Sequence, residues 1–310
     1  MHLPKIVTPC VRLPWPGRDD VWVKDESACP TGTFKDRLAW RLASLISSAA
    51  RPDFLVTSIS LGNTLVSLMA AFEAAFPPDR RPQVAGVFPA DFAGRTIGPD
   101  NRGHRMKGEA VLAKLGNQGA NCIEYDLAAG WLSPHAVADL ARDSGMEFSQ
   151  HRDVSNGIEV PSYQAIAAEA LQQCGEKIDY IVVPVGAGVL FEETVRYIER
   201  HSRQSQVIGV TTLNHHSVAD KIYAAYSQYM RDLVARGRAH YPGLPQHSVI
   251  PVDDNSIMHA LSQIPAELSA EPSAAAAFSA LDTAGLIPQD ASVLIVNTGN
   301  GIAQEPVQCP

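Results

Sequence analysis

The sequence is poor in the features that would tie it to a membrane, a nucleic acid or a redox framework. No apolar run approaches the roughly 18 residues of a membrane span. The opening stretch MHLPKIVTPC also lacks the charged-then-apolar layout of a secretory leader, so a cytoplasmic address and no membrane partner are expected. Basic residues are the minority, 25 against 33 acidic, for a net charge of −8. A surface built for nucleic-acid phosphates is therefore not expected, and any anion must be met locally. Cysteines are few and scattered: Cys10, Cys29, Cys122, Cys174 and Cys309 are odd in number and include no closely spaced pair, so neither disulfides nor a cysteine metal site is expected. The ten histidines supply no HExxH pattern, and His215 and His216 are merely adjacent, so no metal is expected. Aromatics reach only 7%, yet 45% apolar and 19% charged residues exclude disordered, collagen-like and low-complexity classes. A length of 310 residues fits one large or two ordinary lobes.

What is present is a regular alternation. Continuous β-branched or aromatic runs at 21–24, 54–57, 84–88, 122–125, 180–183, 207–211 and 293–296 read as buried strands. Helical patterns lie between and after them at about 36–49, 63–76, 107–115, 134–143, 162–174, 190–200, 218–236, 256–263 and 273–284, with Pro272 suited to a first helical position. Such alternation needs crossover connections and predicts an α/β fold with mostly parallel sheet covered by helices. The stretches 89–105 and 237–251 read as loops.

The chemistry-bearing motifs sit where strands end. Lys24-Asp25-Glu26 closes the first run, and Pro30-Thr31-Gly32-Thr33-Phe34-Lys35-Asp36-Arg37 turns into a helix beginning near Lys35. A helix N-terminus carries partial positive charge, so an ammonium is disfavoured there and its pKa should fall. A neutral amine is a nucleophile that forms an imine with an aldehyde, as a lysine bound to pyridoxal phosphate does. A solvated lysine in an ordinary first turn is the plainer alternative.

Further on, Val182-Val183-Pro184-Val185-Gly186-Ala187-Gly188-Val189-Leu190 runs from a strand through a glycine turn into a helix, where successive backbone N–H groups can cradle a phosphate. The same turn resembles a nicotinamide-binding loop. That rival fails because Phe191 occupies the third glycine position, and the next strand leads into Thr212, Leu213 and Asn214 with no acid for a ribose hydroxyl. Ser60-Leu61-Gly62-Asn63-Thr64 offers backbone N–H groups for a carboxylate and an amide for a phenolic oxygen, and Thr298 in Asn297-Thr298-Gly299-Asn300-Gly301 offers a hydroxyl to a ring nitrogen. Each alone reads more plainly as a cap or turn. Four such loops at strand ends together mark a ligand site.

KDE, PTGTFKDR, SLGNT, VPVGAGVL, the stretch Glu271-Pro272-Ser273-Ala274-Ala275-Ala276, and TGNG occur in the order seen in the fold type II pyridoxal-phosphate enzymes. The chain resembles that family, which includes the tryptophan synthase β-subunit, cysteine synthase, threonine dehydratase and threonine synthase, over nearly its whole length, and PTGTFKDR looks most like threonine synthase. The resemblance implies two lobes with the cofactor in the cleft between them: a large cofactor-binding domain of 1–45 and 151–310, and a smaller inserted domain of 46–150. It implies that Lys35 binds pyridoxal 5'-phosphate covalently and removes the α-proton. Asn63 would meet the phenolic oxygen, Gly186, Ala187, Gly188, Val189 and Leu190 the phosphate, and Thr298 the pyridine nitrogen. Ser60, Leu61, Gly62 and Thr64 would hold the substrate. A small-molecule amino-acid substrate and a homodimer are likewise implied. A hydroxyl at the ring nitrogen leaves the pyridine neutral, which favours β or γ elimination or replacement over transamination.

Two positions depart from the family pattern. Leu61 stands where a hydroxyl residue usually helps hold the substrate carboxylate, and Val189 stands where the phosphate loop usually has a smaller residue. The motifs select the cofactor and leave the nucleophile open. The expected activity is a threonine-synthase-like elimination or replacement on a phosphorylated or acylated hydroxy-amino acid. The alternatives are a cysteine-synthase-like β-replacement making a non-protein amino acid, and a non-catalytic binding protein. Arg95, Arg102, Arg105 and Lys107 can meet a substrate phosphate, though a solvated basic loop is the plainer reading. Cys29 is expected to be a packing residue rather than a substrate contact.

Overall fold

The computed structural model describes residues 5–47, 50–127, 132–155, 161–174, 177–201, 204–214, 216–222 and 247–302. Two sheets carry the architecture. The larger is formed by β1 (Cys10–Arg12), β2 (Val21–Asp25), β9 (Tyr180–Pro184), β10 (Gln206–Thr211), β11 (His247–Pro251) and β12 (Val293–Asn297). Its spatial order is β1-β2-β12-β9-β10-β11, and only the β1–β2 pair is antiparallel. The smaller is wholly parallel, ordered β7-β4-β3-β8, from β3 (Phe54–Ile59), β4 (Gln83–Pro89), β7 (Asn121–Tyr125) and β8 (Gln150–Asp153). A two-stranded ribbon, β5 (Thr96–Ile97) and β6 (Met106–Lys107), flanks the second sheet in sequence. This is the expected α/β class.

Most strands found as apolar runs are buried because helices cover both faces, but β7, NCIEY at the edge of the small sheet, buries only Ile123 fully. In β12, VLIVN, every residue is buried, as a central parallel strand requires. The helices are α1 (Lys35–Leu45), α2 (Asn63–Ala75), α3 (Gly108–Asn117), α4 (Pro134–Asp143), α5 (Gln164–Cys174), α6 (Val189–Arg200), α7 (Asp254–Gln263) and α8 (Pro272–Ser279). In α8 all eight residues are buried, and its alanines let the helix lie close against β9 and β12. Pro272 occupies the first turn, where its missing N–H costs nothing. One core cluster joins α7 and α8 to the large sheet, a second fills its other face beneath α5 and α6, and a third joins α1 and α2 to the small sheet.

The loop expected over 237–251 is corrected at its end, because His247–Pro251 is β11, paired parallel with β10. The five residues HSVIP are too short a run, and too close to prolines, to stand out by periodicity. Likewise 89–105 contains β5. The polar strand β8, QHRD, carries no hydrophobic signal at all and forms by pairing with β3 at the sheet edge. The helix expected over 218–236 lies outside the described residues beyond Ile222.

Candidate functional site

Helix α1 begins at Lys35, so the lysine emerges at the end of a turn whose geometry is set from below. The Thr31 N–H and hydroxyl both donate to Asp36, each at 2.6 Å, and Gly32 takes a left-handed φ of 76° that closes the turn. One turn further, the Arg37 guanidinium grips Glu26 at 2.6 and 2.8 Å and Glu169 of α5 at 2.8 and 3.0 Å. Lys24, with no exposed surface, donates to the same Glu169 at 3.0 Å and to the Thr8 carbonyl at 2.5 Å. Lys24, Glu26 and Arg37 thus form with Glu169 a buried ion network under α1, in which Lys35 takes no part. Cys29 is part of this packing, buried with its thiol on Glu26, and burial followed by the Glu26 charge pushes its pKa up.

Lys35 is perturbed in the expected direction. Burial lowers its pKa to about 8, opposed by the Glu271 carboxylate. Desolvation, not the helix dipole invoked from sequence, is the leading cause. Its ammonium lies 4.5 Å from the Phe34 ring centroid and 5.8 Å from that of Tyr163.

The SLGNT loop follows β3 and opens α2. Gly62, at φ 117°, makes the turn, and the N–H groups of Leu61, Asn63 and Thr64 have no partner among the described residues. Ser60 accepts from the Gly62 N–H at 3.1 Å. The Leu61 side chain packs, half-buried, onto the small-sheet core. Asn63 is buried; its amide donates to Glu271 at 3.1 Å, while its carbonyl oxygen has no partner.

On the large sheet, Gly188 in left-handed conformation starts α6 with no side-chain cap. The N–H groups of Gly186, Ala187 and Gly188 have no partner among the described residues, and those of Val189 and Leu190 are first-turn donors without intrahelical acceptors. Five successive donors are therefore left for a ligand, the makings of an anion cradle needing no cation. Val189 is half-buried and packs its side chain against the core that contains Leu190 and Phe191. A Cβ on Gly186 would meet the Lys221 carbonyl at 2.6 Å, so the turn rests directly on that residue.

The TGNG loop after β12 is clasped to the lysine turn by backbone. Phe34 N–H donates to Thr298 at 3.3 Å and Asn300 N–H to Gly32 at 2.9 Å. Gly299 has φ 89°, and a Cβ there would lie 2.1 Å from the Gly32 oxygen. The Thr298 side-chain hydroxyl, buried beside Phe34, has no partner among the described residues.

Two residues that local sequence reasoning did not assign stand among these loops. Glu271, at the start of α8, takes Asn63 on one oxygen and the Lys221 ammonium on the other. They lie 208 and 50 residues from it in sequence, so no spacing rule could pair them. Glu271 and Asn300 also line a cavity of about 670 Å³, together with Asp100, Arg102, His104 and Arg105.

The loop beside that cavity keeps Arg102, Arg105 and Lys107 exposed, as its plainer reading expects, while its backbone is strapped to residues 265–270. Asn101 exchanges backbone and side-chain bonds with Ala270 at 3.0 and 3.1 Å and donates to Pro265 and Leu268, and Asn300 donates to Asp100 at 3.0 Å. Arg95 is paired with Asp91, Lys107 with Thr96, and Arg102 with the Ala266 carbonyl; Arg105 alone of the four has no partner among the described residues. Among the described residues no group of three or more His, Cys, Asp or Glu could hold a metal ion, and no helix is long and apolar enough to cross a membrane.

Comparison with known proteins bears on what such a site does. The family model described as pyridoxal-phosphate dependent enzyme matches residues 3–299. Comparison with curated proteins gives no match. The chain is similar to the solved structure of an O-acetylserine dependent cystathionine beta-synthase from Helicobacter pylori, at 17% identity and a TM-score of 0.67, covering 95% of this chain and 92% of that one. It is similar to O-ureido-L-serine synthase at 20% identity and a TM-score of 0.60, over 95% and 89% of the two chains. A hydrogen sulfide-producing enzyme from Fusobacterium nucleatum matches at 15% identity and a TM-score of 0.66, over 95% of each chain. At these identities the likeness is one of fold.

Proposed function

Because the chain belongs to the pyridoxal-phosphate dependent enzymes, we propose that Lys35 carries the cofactor and that the protein catalyses replacement at the β-carbon of an amino acid with an activated side-chain oxygen. The observation that carries the site is the set of unpartnered polar groups around Lys35. The five N–H donors at 186–190 suit a phosphate, the Asn63 amide proton not used on Glu271 a phenolic oxygen and the Thr298 hydroxyl a ring nitrogen. These residues fit the group, and backbone donors explain how a chain of net charge −8 meets a phosphate. The division into a lobe of 46–150 inserted within 1–45 and 151–310, and a homodimer, belong to the same proposal.

When bound, pyridoxal phosphate supplies the electron sink for removal of the α-proton. The chain's own residues do the rest. The N–H groups of Leu61, Asn63 and Thr64 at the start of α2 hold the substrate carboxylate, so the absent hydroxyl at Leu61 is made good by backbone. Lys35, with a pKa of about 8, has a substantial neutral fraction near neutral pH, and its Nζ takes the α-proton.

β-Replacement is preferred over the threonine-synthase-like reaction because of the company the fold keeps: the names of two related structures specify O-acetylserine and O-ureido-L-serine chemistry. PTGTFKDR favours the threonine-synthase-like reading, which stays as the second. Incubation with O-acetylserine or O-phosphoserine plus sulfide, and separately with O-phosphohomoserine, following acetate or phosphate release, separates the two. Turnover of O-phosphohomoserine alone would reverse the order. The lysine has its own test: borohydride should fix the cofactor to the Lys35 peptide, and Lys35→Ala should abolish this. A label on any other lysine refutes the assignment.

A further inference from the structure

The contacts of Glu271 link two parts of the proposed cofactor site. One carboxylate oxygen accepts from the Asn63 amide at 3.1 Å and the other contacts the Lys221 ammonium. Lys221 is itself fixed: its backbone N–H donates to Ser273 at 3.3 Å, and its carbonyl abuts Gly186, where a Cβ would lie 2.6 Å away. A continuous chain of contacts, Gly186 to Lys221 to Glu271 to Asn63, therefore joins the anion cradle on the large sheet to the amide on the small one.

The chemistry of that chain is directional. A carboxylate only accepts, so the group Asn63 turns toward Glu271 must be its NH2 and not its carbonyl. One of the two amide protons is then used on Glu271, and the other is left for a second acceptor. The Asn63 carbonyl oxygen, buried without a partner, is turned away from both. Lys221 supplies the positive charge that allows a buried carboxylate at this place, supported by the starts of α2 and α8 on either side.

We infer that Glu271 is a positioning residue for the cofactor: it locks the Asn63 amide so that the remaining N–H faces the phenolic oxygen, with Lys221 holding the carboxylate in register with the phosphate cradle. The inference rests on the proposed placement of the cofactor against Lys35 and Asn63. It assigns Glu271 no contact with the reacting atoms. A glutamine at 271 can present either an acceptor or a donor, and so no longer dictates which end of the Asn63 amide faces the ligand.

The test is a double-mutant cycle read without turnover. Wild type, E271Q, N63A and E271Q/N63A are stripped and titrated with pyridoxal phosphate, following the dissociation constant and the absorption maximum of the bound cofactor. Each single variant is expected to bind about tenfold more weakly, with a displaced absorption maximum. The double variant should be no worse than the weaker single one within about twofold, because both act through the same amide proton. Wild-type affinity and spectrum in E271Q, or additive losses approaching a hundredfold, would overturn the inference. Should E271Q fail to fold, Glu271→Asp keeps the Lys221 pair while withdrawing the carboxylate from Asn63, and the same displacement is expected. Borohydride labelling of the wild type at Lys35 keeps the two failures apart: a label elsewhere overturns both readings, whereas a label on Lys35 with additive losses overturns this one alone.

Discussion

Arg37→Met tests the idea that the charged letters around Lys35 are scaffolding. The guanidinium is almost wholly buried, and it makes four charge-assisted bonds between 2.6 and 3.0 Å to Glu26 and Glu169. Methionine matches the volume and removes them all. Glu169 keeps Lys24, but Glu26, with no exposed surface, is left with the Thr8 hydroxyl at 2.6 Å and the weak Cys29 thiol. Removing one partner of a buried pair costs about 3–5 kcal/mol, mostly the penalty of the charge left behind. Neutralising that charge in Glu26→Gln/Arg37→Met should therefore recover about half of the loss. Urea denaturation followed by tryptophan fluorescence measures both, since Trp40 lies on α1. The pH dependence adds a check through Glu169, whose carboxyl is held below its ordinary value: burial raises it, and bonds and charges from Arg37 and Lys24 outweigh that. A lowered carboxyl stabilises the fold above its unfolded pKa of about 4.3 and loses that contribution as pH falls through the folded value. Arg37→Met should be less acid-sensitive over that window than wild type. A loss under about 1 kcal/mol, or a double variant no more stable than Arg37→Met, would refute the reasoning.

Three further outcomes are expected. The rate at which pyridoxal phosphate becomes trappable on Lys35 should rise with pH with a midpoint near 8 and level off above it, and E271Q should move the midpoint lower because the carboxylate that raises the amine is gone; a midpoint near the ordinary lysine value of about 10.4 contradicts this. Gly299→Ala should cost at least about 2 kcal/mol in thermal unfolding, combining left-handed strain with a Cβ 2.1 Å from the Gly32 oxygen, and a loss below about 0.5 kcal/mol would show that the clasp yields. Treatment with diamide at alkaline pH should join Cys10 to Cys174, whose sulfurs are 3.1 Å apart, in a cross-link seen by peptide mass and lost in Cys174→Ser. Their mutual hydrogen bond and burial raise the Cys10 thiol, so the reaction should slow sharply toward neutrality; recovery of both as separate thiol peptides under strong oxidation counts against the contact.

The residues show where local pattern suffices and where it does not. Val21, Phe54, Tyr180 and Val293 each begin an observed strand because a continuous apolar run can be buried only in a covered parallel sheet. Gly62, Gly188 and Gly299 mark turns because each takes positive φ, which leaves its own signal in sequence. The strand QHRD left none, since its place comes from pairing with β3 rather than from its side chains. The partners of Asn63, Lys221 and Cys10 were illegible for the opposite reason. Each side chain is ordinary where it stands, and only the fold brings Glu271 or Cys174 beside it. Five cysteines without close spacing gave no reason to expect that two sulfurs would touch.

The placement of β12 has a consequence for how the protein is made. Residues 293–297 lie between β2 and β9, so the large sheet cannot close around its first strand until the last of the described strands has left the ribosome. The four strands of the small sheet have all been synthesised by Asp153 and can pair much earlier. At roughly 5–20 residues per second, the Lys35 turn then waits on the order of ten seconds for Gly299 and Asn300 to fasten it. Cofactor capture should thus wait for the emergence of β12, and a nascent chain stalled short of β12 should expose an apolar β2 edge to chaperones without retaining pyridoxal phosphate.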